Sequence, residues 1–306
     1  MIFRSIAAVL SAAVIGWLPV QGFTQTGEID VRRDVEYVVH GGQSLKGDLY
    51  TPRRDGRFPV VVAIHGGGWQ LGGPIAYQFW GPWLAARGIA VYAISYRFSK
   101  PDQKSFPEAL QDVRAAIQFL KGRGTELRID PARIAVMGDS AGGHLAALVA
   151  LAGEHPAFKD GNKGDPFGHL TSEVKAAIPV YGVFDMVEQW RHDQLTRSRD
   201  HIVEKFLGTS LIDNRRAYFD ASPLSYVASS NNRVSFMVTW GTHDDIVAPA
   251  MQSERFLEAL KQARYFARPA IVHGAPHFWM SDPIEEPGSH AGWLAPRLLR
   301  FLQARL

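Results

Sequence analysis

A chain of 306 residues, 46% hydrophobic and 21% charged, can bury a sizeable core and does not have the composition of a disordered polymer. Its 33 basic and 30 acidic residues leave a net charge of +3 without a like-charged run, so nucleic acid is not an expected partner. Cysteine is absent, which excludes disulfides, Cys-ligated zinc, a thiol nucleophile and a lipidated N-terminal cysteine.

In chain order, Met1 to Arg4 is a short basic start, Ile6 to Val20 is an apolar run, and Val20-Gln21-Gly22 supplies small residues where a signal peptidase cuts. The run falls short of the ~20 residues a spanning helix needs. Residues 1–22 are therefore expected to be a cleaved signal peptide, leaving 23–306 as the folded domain. That implies an exported protein, periplasmic or secreted, with no stable membrane insertion after cleavage.

Glu36 to His40 and Gly47 to Tyr50 are expected as a short strand pair joined through Gly41-Gly42. Phe58 to Ile64 is a continuous, largely β-branched run, the pattern of a strand buried on both faces. Ile89 to Tyr96, Ile134 to Met137, Ala176 to Tyr181 and Val234 to Trp240 are further runs of strand length, and Ala270 to Val272 is a weaker one. The clearest helical pattern is Phe106 to Lys121, with Leu110, Val113, Ile117 and Leu120 at helical spacing and Ser105 and Glu108 expected to form a capping box. Leu294 to Leu306 predicts a closing amphipathic helix. Alternating strands and helices argue for an α/β fold, a mostly parallel central sheet with helices on both faces. Residues 187–218 interrupt the rhythm with polar and basic positions and are expected to be a small helical cap insertion.

Four motifs carry chemistry. Gly138-Asp139-Ser140-Ala141-Gly142 fits G-x-S-x-G between a predicted strand and a predicted helix, the context that exposes a serine hydroxyl on a sharp turn. His65-Gly66-Gly67-Gly68-Trp69 follows a strand, and its glycines leave backbone N–H groups able to face an oxyanion; Ala141 N–H would add another donor. No phosphate-loop or dinucleotide pattern accompanies it. In Gly241-Thr242-His243-Asp244-Asp245 two aspartates compete to orient a histidine, and Asp244 has the expected G-x-x-D spacing. His273-Gly274-Ala275-Pro276-His277-Phe278 supplies His277 as general-base candidate and His273 as a strand-end residue. Gly274 and Pro276 argue against a helical zinc pair there, so no metal is expected. His144 is expected to pack beneath the site, His65 to brace the glycine loop, and Asp112 either to pair with Arg97 or to lie on a helix surface. Trp69 and Phe278 are the candidates for lining a substrate pocket.

The order glycine loop, Ser, Asp, His over a parallel sheet resembles the α/β-hydrolase fold. HGGGW at 65–69, GDSAG at 138–142, Tyr96-Arg97, Phe106-Pro107, Asp112 and Ala221-Ser222-Pro223-Leu224 resemble the hormone-sensitive-lipase-like carboxylesterases and the related bacterial feruloyl/acetyl esterases, over about residues 35–304. The resemblance implies a triad of Ser140, Asp244 and His277 and an oxyanion hole of Gly67, Gly68 and Ala141, with Gly66 as a further candidate. It implies a serine carboxylesterase acting on a small-molecule ester without metal or organic cofactor. An amidase or arylformamidase would use the same triad. A non-catalytic hydrolase-fold binding protein would be expected to lose one of the three residues, and all three are present.

Overall fold

In the computed structural model, which describes residues 27–159 and 164–306, eight strands form one sheet. They are β1 (Ile29–His40), β2 (Gln43–Pro52), β3 (Phe58–Ile64), β4 (Ala90–Ile94), β5 (Ile129–Asp139), β6 (Ala176–Val180), β7 (Ser235–Gly241) and β8 (Ala267–Val272), in the order β1-β2-β4-β3-β5-β6-β7-β8. The pairs β1–β2 and β2–β4 are antiparallel, and all others are parallel. The proposed signal peptide at 1–22 lies outside the described residues.

The strand period of two divides the core. In β3, Val60, Val62 and Ile64 enter one apolar cluster with helices Glu108–Gly122, Ala141–Ala152 and Ser253–Gln262. Val61 and Ala63 enter another with helices Trp80–Ala85 and His290–Arg305. A strand covered on both faces has no solvent side, which is why β3, β4 and β6 are continuous apolar runs. This is the α/β-hydrolase architecture expected from the sequence.

Local expectations differ in places, each for a physical reason. The helix predicted from Phe106 begins at Glu108, with Pro107 at its N-cap. Glu108 is thus the first helical residue and not the third, so the Ser105–Glu108 capping box is out of register; Ser105 Oγ and Glu108 Oε2 make no hydrogen bond among the described residues. Strand β8 extends three residues before Ala270 and contains Pro269, which is tolerated because β8 pairs only with β7 and its outer edge needs no donor there. The β1–β2 hairpin is also longer than expected, carrying Arg32, Arg33 and Asp34 on an exposed sheet edge.

Residues 187–218 hold all but the first residue of helix Met186–Thr196, helix Ile202–Leu207 and the start of Arg215–Ala221. The first is capped by Asp185, whose side chain accepts from the Val187 and Glu188 N–H groups. Among the described residues no helix is long and apolar enough to cross a membrane.

Candidate active site

Ser140 stands at the turn between β5 and helix Ala141–Ala152, with φ 52° and ψ −118°, a conformation that costs energy for any residue with a side chain. The turn survives because its neighbours lock it: Ser140 N–H donates to Val180 O at 2.9 Å. Gly142 permits the close approach, since a Cβ there would lie 1.9 Å from Ile64 O. The turn lifts the Ser140 hydroxyl clear of the sheet and aims it toward the loop after β8.

His277, on that loop, places Nε2 2.9 Å from Ser140 Oγ and Nδ1 2.7 Å from Asp244 Oδ2. The other Asp244 oxygen accepts the backbone N–H groups of Ile246 and Val247 at 3.0 and 2.9 Å. A carboxylate only accepts, so Nδ1 carries the imidazole proton and Nε2 presents its lone pair to the serine hydroxyl. His277 and Asp244 are buried, and the Tyr181 ring lies 4.5 Å from the imidazole. The choice between adjacent aspartates is decided by direction: Asp244 points inward, whereas Asp245 is exposed and offers only its carbonyl, to His192 Nε2. His273 is exposed. The chain Ser140–His277–Asp244 can accept and return a proton at Nε2.

Gly67 and Gly68 adopt φ of 108° and 58°, and Trp69 follows at 58°. This left-handed run is open to glycine, and at Gly67 a Cβ would also sit 2.1 Å from Leu71 O. The N–H groups of Gly67, Gly68 and Ala141 make no hydrogen bond among the described residues. Gly66 is corrected: its N–H donates to Asp139 Oδ1 at 3.2 Å and is not a free donor. That carboxylate, in the second position of GDSAG, ties the glycine loop to the serine turn, and the Tyr77 hydroxyl lies 2.9 Å from the same oxygen. Burial pushes the Asp139 carboxyl above its ordinary range, against the hydrogen bonds from Tyr77 and Gly66. Asp139 and Tyr77 were not anticipated from the sequence; the motif's variable position was the one available signal for the first.

His65 and His144 take supporting places. Burial pushes both imidazoles down to about 4, so both are neutral. His65 lies with Nδ1 2.7 Å from Gly66 O and stacks on Tyr96. His144 Nδ1 accepts the Trp69 indole N–H at 3.1 Å, leaving Nε2–H to donate to Ala221 O at 2.8 Å. Asp112 is wholly buried and paired with Arg97 through Nε and Nη2, and with His40 Nδ1 at 2.6 Å.

A partly open cavity of about 240 Å³ borders Ser140, Gly67, Gly68 and Ala141. Trp69 and Phe278 both line it, in unlike ways: Trp69 is only 2% exposed and stacks on Phe206, whereas Phe278 is 63% exposed at the rim. Gln189, Asp193, Arg197 and Ile202 from residues 187–218 line it as well. Among the described residues no group of three or more metal-ligating side chains converges.

Comparison with known proteins matches the BD-FAE family profile to residues 47–260. A probable carboxylic ester hydrolase of Mycobacterium tuberculosis, LipM, is 33% identical over 75% of this chain and 51% of its own length. The isoprenylcysteine alpha-carbonyl methylesterase ICME of Arabidopsis thaliana is 26% identical, covering 92% of this chain and 66% of its own. The chain spans about half the length of the first mycobacterial relatives it matches. Among solved structures, propionate-bound esterase 2 of Thermogutta terrifontis superposes with a TM-score of 0.69 at 23% identity, covering 91% of this chain and 93% of that one. At that identity the likeness speaks for the fold alone.

Proposed function

The chain belongs to the BD-FAE family of α/β-hydrolases, and from that premise we propose that it is a serine carboxylesterase acting on short-chain or aryl esters. The observation that carries the proposal is the unbroken line Ser140 Oγ to His277 Nε2 at 2.9 Å and His277 Nδ1 to Asp244 Oδ2 at 2.7 Å. Ser140 Oγ attacks the ester carbonyl carbon while His277 Nε2 takes the hydroxyl proton. The carbonyl oxygen gains the displaced electron pair and is held by the N–H groups of Gly67, Gly68 and Ala141, each worth about 3–4 kcal/mol in systems of this kind. Collapse expels the alcohol, which leaves with the proton from His277. Water then attacks the acyl-serine by the same route and frees the acid.

The test is hydrolysis of p-nitrophenyl acetate and butyrate by the native chain and by Ser140→Ala, beside the matching p-nitroanilides. Ester turnover that drops about 10⁴-fold or more in the variant is expected. Equal rates in both proteins would remove Ser140 as nucleophile, and faster anilide cleavage would move the assignment to an amidase.

We also infer export, on the strength of the basic start, apolar run and small-residue site within residues 1–22. Mass spectrometry of the chain recovered from its native cell should find an N-terminus close to residue 23; an intact Met1 start would refute it.

A further inference from the structure

The cavity beside Ser140 has a polar wall that the proposed triad does not use. Gln189 and Asp193 stand four residues apart on helix Met186–Thr196 and so share a face, with Arg197 at the helix end. All three line the cavity. Gln189 and Asp193 are 4% and 3% exposed. Gln189 Nε2 donates to Asp193 Oδ1 at 2.9 Å and to Ile246 O at 3.0 Å; two acceptors face that nitrogen, which fixes the amide's orientation. Gln189 therefore holds the carboxylate in place.

The wall is incompletely satisfied. Gln189 Oε1 is buried and has no hydrogen-bond partner among the described residues; beside it, Asp193 Oδ2 and the half-buried Arg197 guanidinium make no hydrogen bond there. The neighbouring Asp200 is already paired with Lys205 at 2.7 Å. Burial pushes the Asp193 carboxyl up, against the Gln189 hydrogen bond and the Arg197 charge. Buried polar groups are ordinarily partnered, so this wall suits a ligand that supplies what the protein does not. A cation would meet Asp193 and be repelled by Arg197, and an anion the reverse. A neutral hydroxyl can donate to the carboxylate and accept from the guanidinium at once.

We propose that Asp193 and Arg197 determine specificity by binding a hydroxyl group carried by the ester substrate; this rests on the esterase reading of Ser140. The rest of the cavity, with Trp69, Val183, Ile202, Ile246 and Val247, takes the substrate's carbon skeleton. The preferred class is thus a hydroxylated ester, on the acyl or the alcohol side, over its alkyl counterpart.

The test compares kcat/KM for glycerol monobutyrate, butyl butyrate, dimethylaminopropyl butyrate and monobutyl succinate, and for p-nitrophenyl hexanoate against its ω-hydroxy derivative. A hydroxylated member is expected to exceed its alkyl partner by about tenfold or more. That ratio should fall toward parity in Asp193→Leu and in Arg197→Met. Thermal melts followed by circular dichroism check each fold, and Arg197→Met, which replaces a half-buried side chain, gives the ratio if Asp193→Leu does not fold. Parity in the native chain, a best substrate that is the cation or the anion, or a preference retained in both variants would overturn the proposal. Failure to hydrolyse p-nitrophenyl acetate would instead overturn the esterase reading beneath it, so the two failures are told apart.

Discussion

Asp244 shows how a single side chain sets a proton's place. Its Oδ1 is held by two backbone N–H groups and its Oδ2 by His277 Nδ1. In Asp244→Asn the amide oxygen would stay with the two backbone donors, turning the NH₂ toward Nδ1. That forces the imidazole proton onto Nε2, where it cannot receive the Ser140 proton. Steady-state kinetics of this variant should show kcat lower by about 10⁴-fold with KM little changed, by the tautomer logic of such triads; a kcat within about tenfold of native would show that the carboxylate does not set the tautomer. The position was legible from G-x-x-D spacing, but its advantage over Asp245 comes from direction, because one carboxylate enters the core and the next faces solvent. Gly66 was misread for the same kind of reason. Three consecutive glycines present equivalent N–H groups on paper, and only the fold brings Asp139 to one of them.

Elements are tied together by a buried charge cluster whose members lie far apart in the chain. His40, at the end of β1, bridges Asp112 on helix Glu108–Gly122 at 2.6 Å and Asp165 on a later loop at 2.9 Å, and Arg97 Nη2 donates to the same Asp112 oxygen, 3.4 Å from His40 Nδ1. Burial pushes the His40 imidazole down, but the hydrogen bonds and charges of the two aspartates outweigh it and the net shift is upward. The folded chain therefore binds this proton more tightly than the unfolded chain does. The resulting stabilisation is complete below the unfolded value near 6.5 and is lost as pH rises through the raised folded value. Thermal melts of the native chain and His40→Gln should differ most at about pH 6 and converge as pH rises through the raised folded value; a gap independent of pH would sink this account. Sequence reading reached the Arg97–Asp112 pair as one of two alternatives, because both lie near a recognisable helix. His40 and Asp165 carried no local signal, being 125 residues apart. The Ser105–Glu108 box failed at this scale too, since the helix start is set by Pro107 and the packing around it, not by a matching pair of residue types.

At the scale of the molecule, the sheet supplies Ser140, Asp244 and His277 from the ends of β5, β7 and β8, and residues 187–218 wall the cavity above them. A space of about 240 Å³ is small beside ligand sites of ~300–1,000 Å³. Among p-nitrophenyl esters, acetate and butyrate should exceed octanoate and laurate by about tenfold or more in kcat/KM; a rate rising with chain length would show that this cavity does not limit the acyl chain. By itself the sequence determined the alternation of buried strands and amphipathic helices, the serine turn and the glycine loop. These rest on backbone sterics and side-chain periodicity over a few residues, which nearby chain enforces. Only the tertiary structure decided that Ser140 and His277, 137 residues apart, would meet, that Gly66 would turn to Asp139, and that the helix end carrying Asp193 and Arg197 would border the cavity beside Ser140. Such contacts depend on how separate elements pack, and no local pattern in the chain encodes the distance between them.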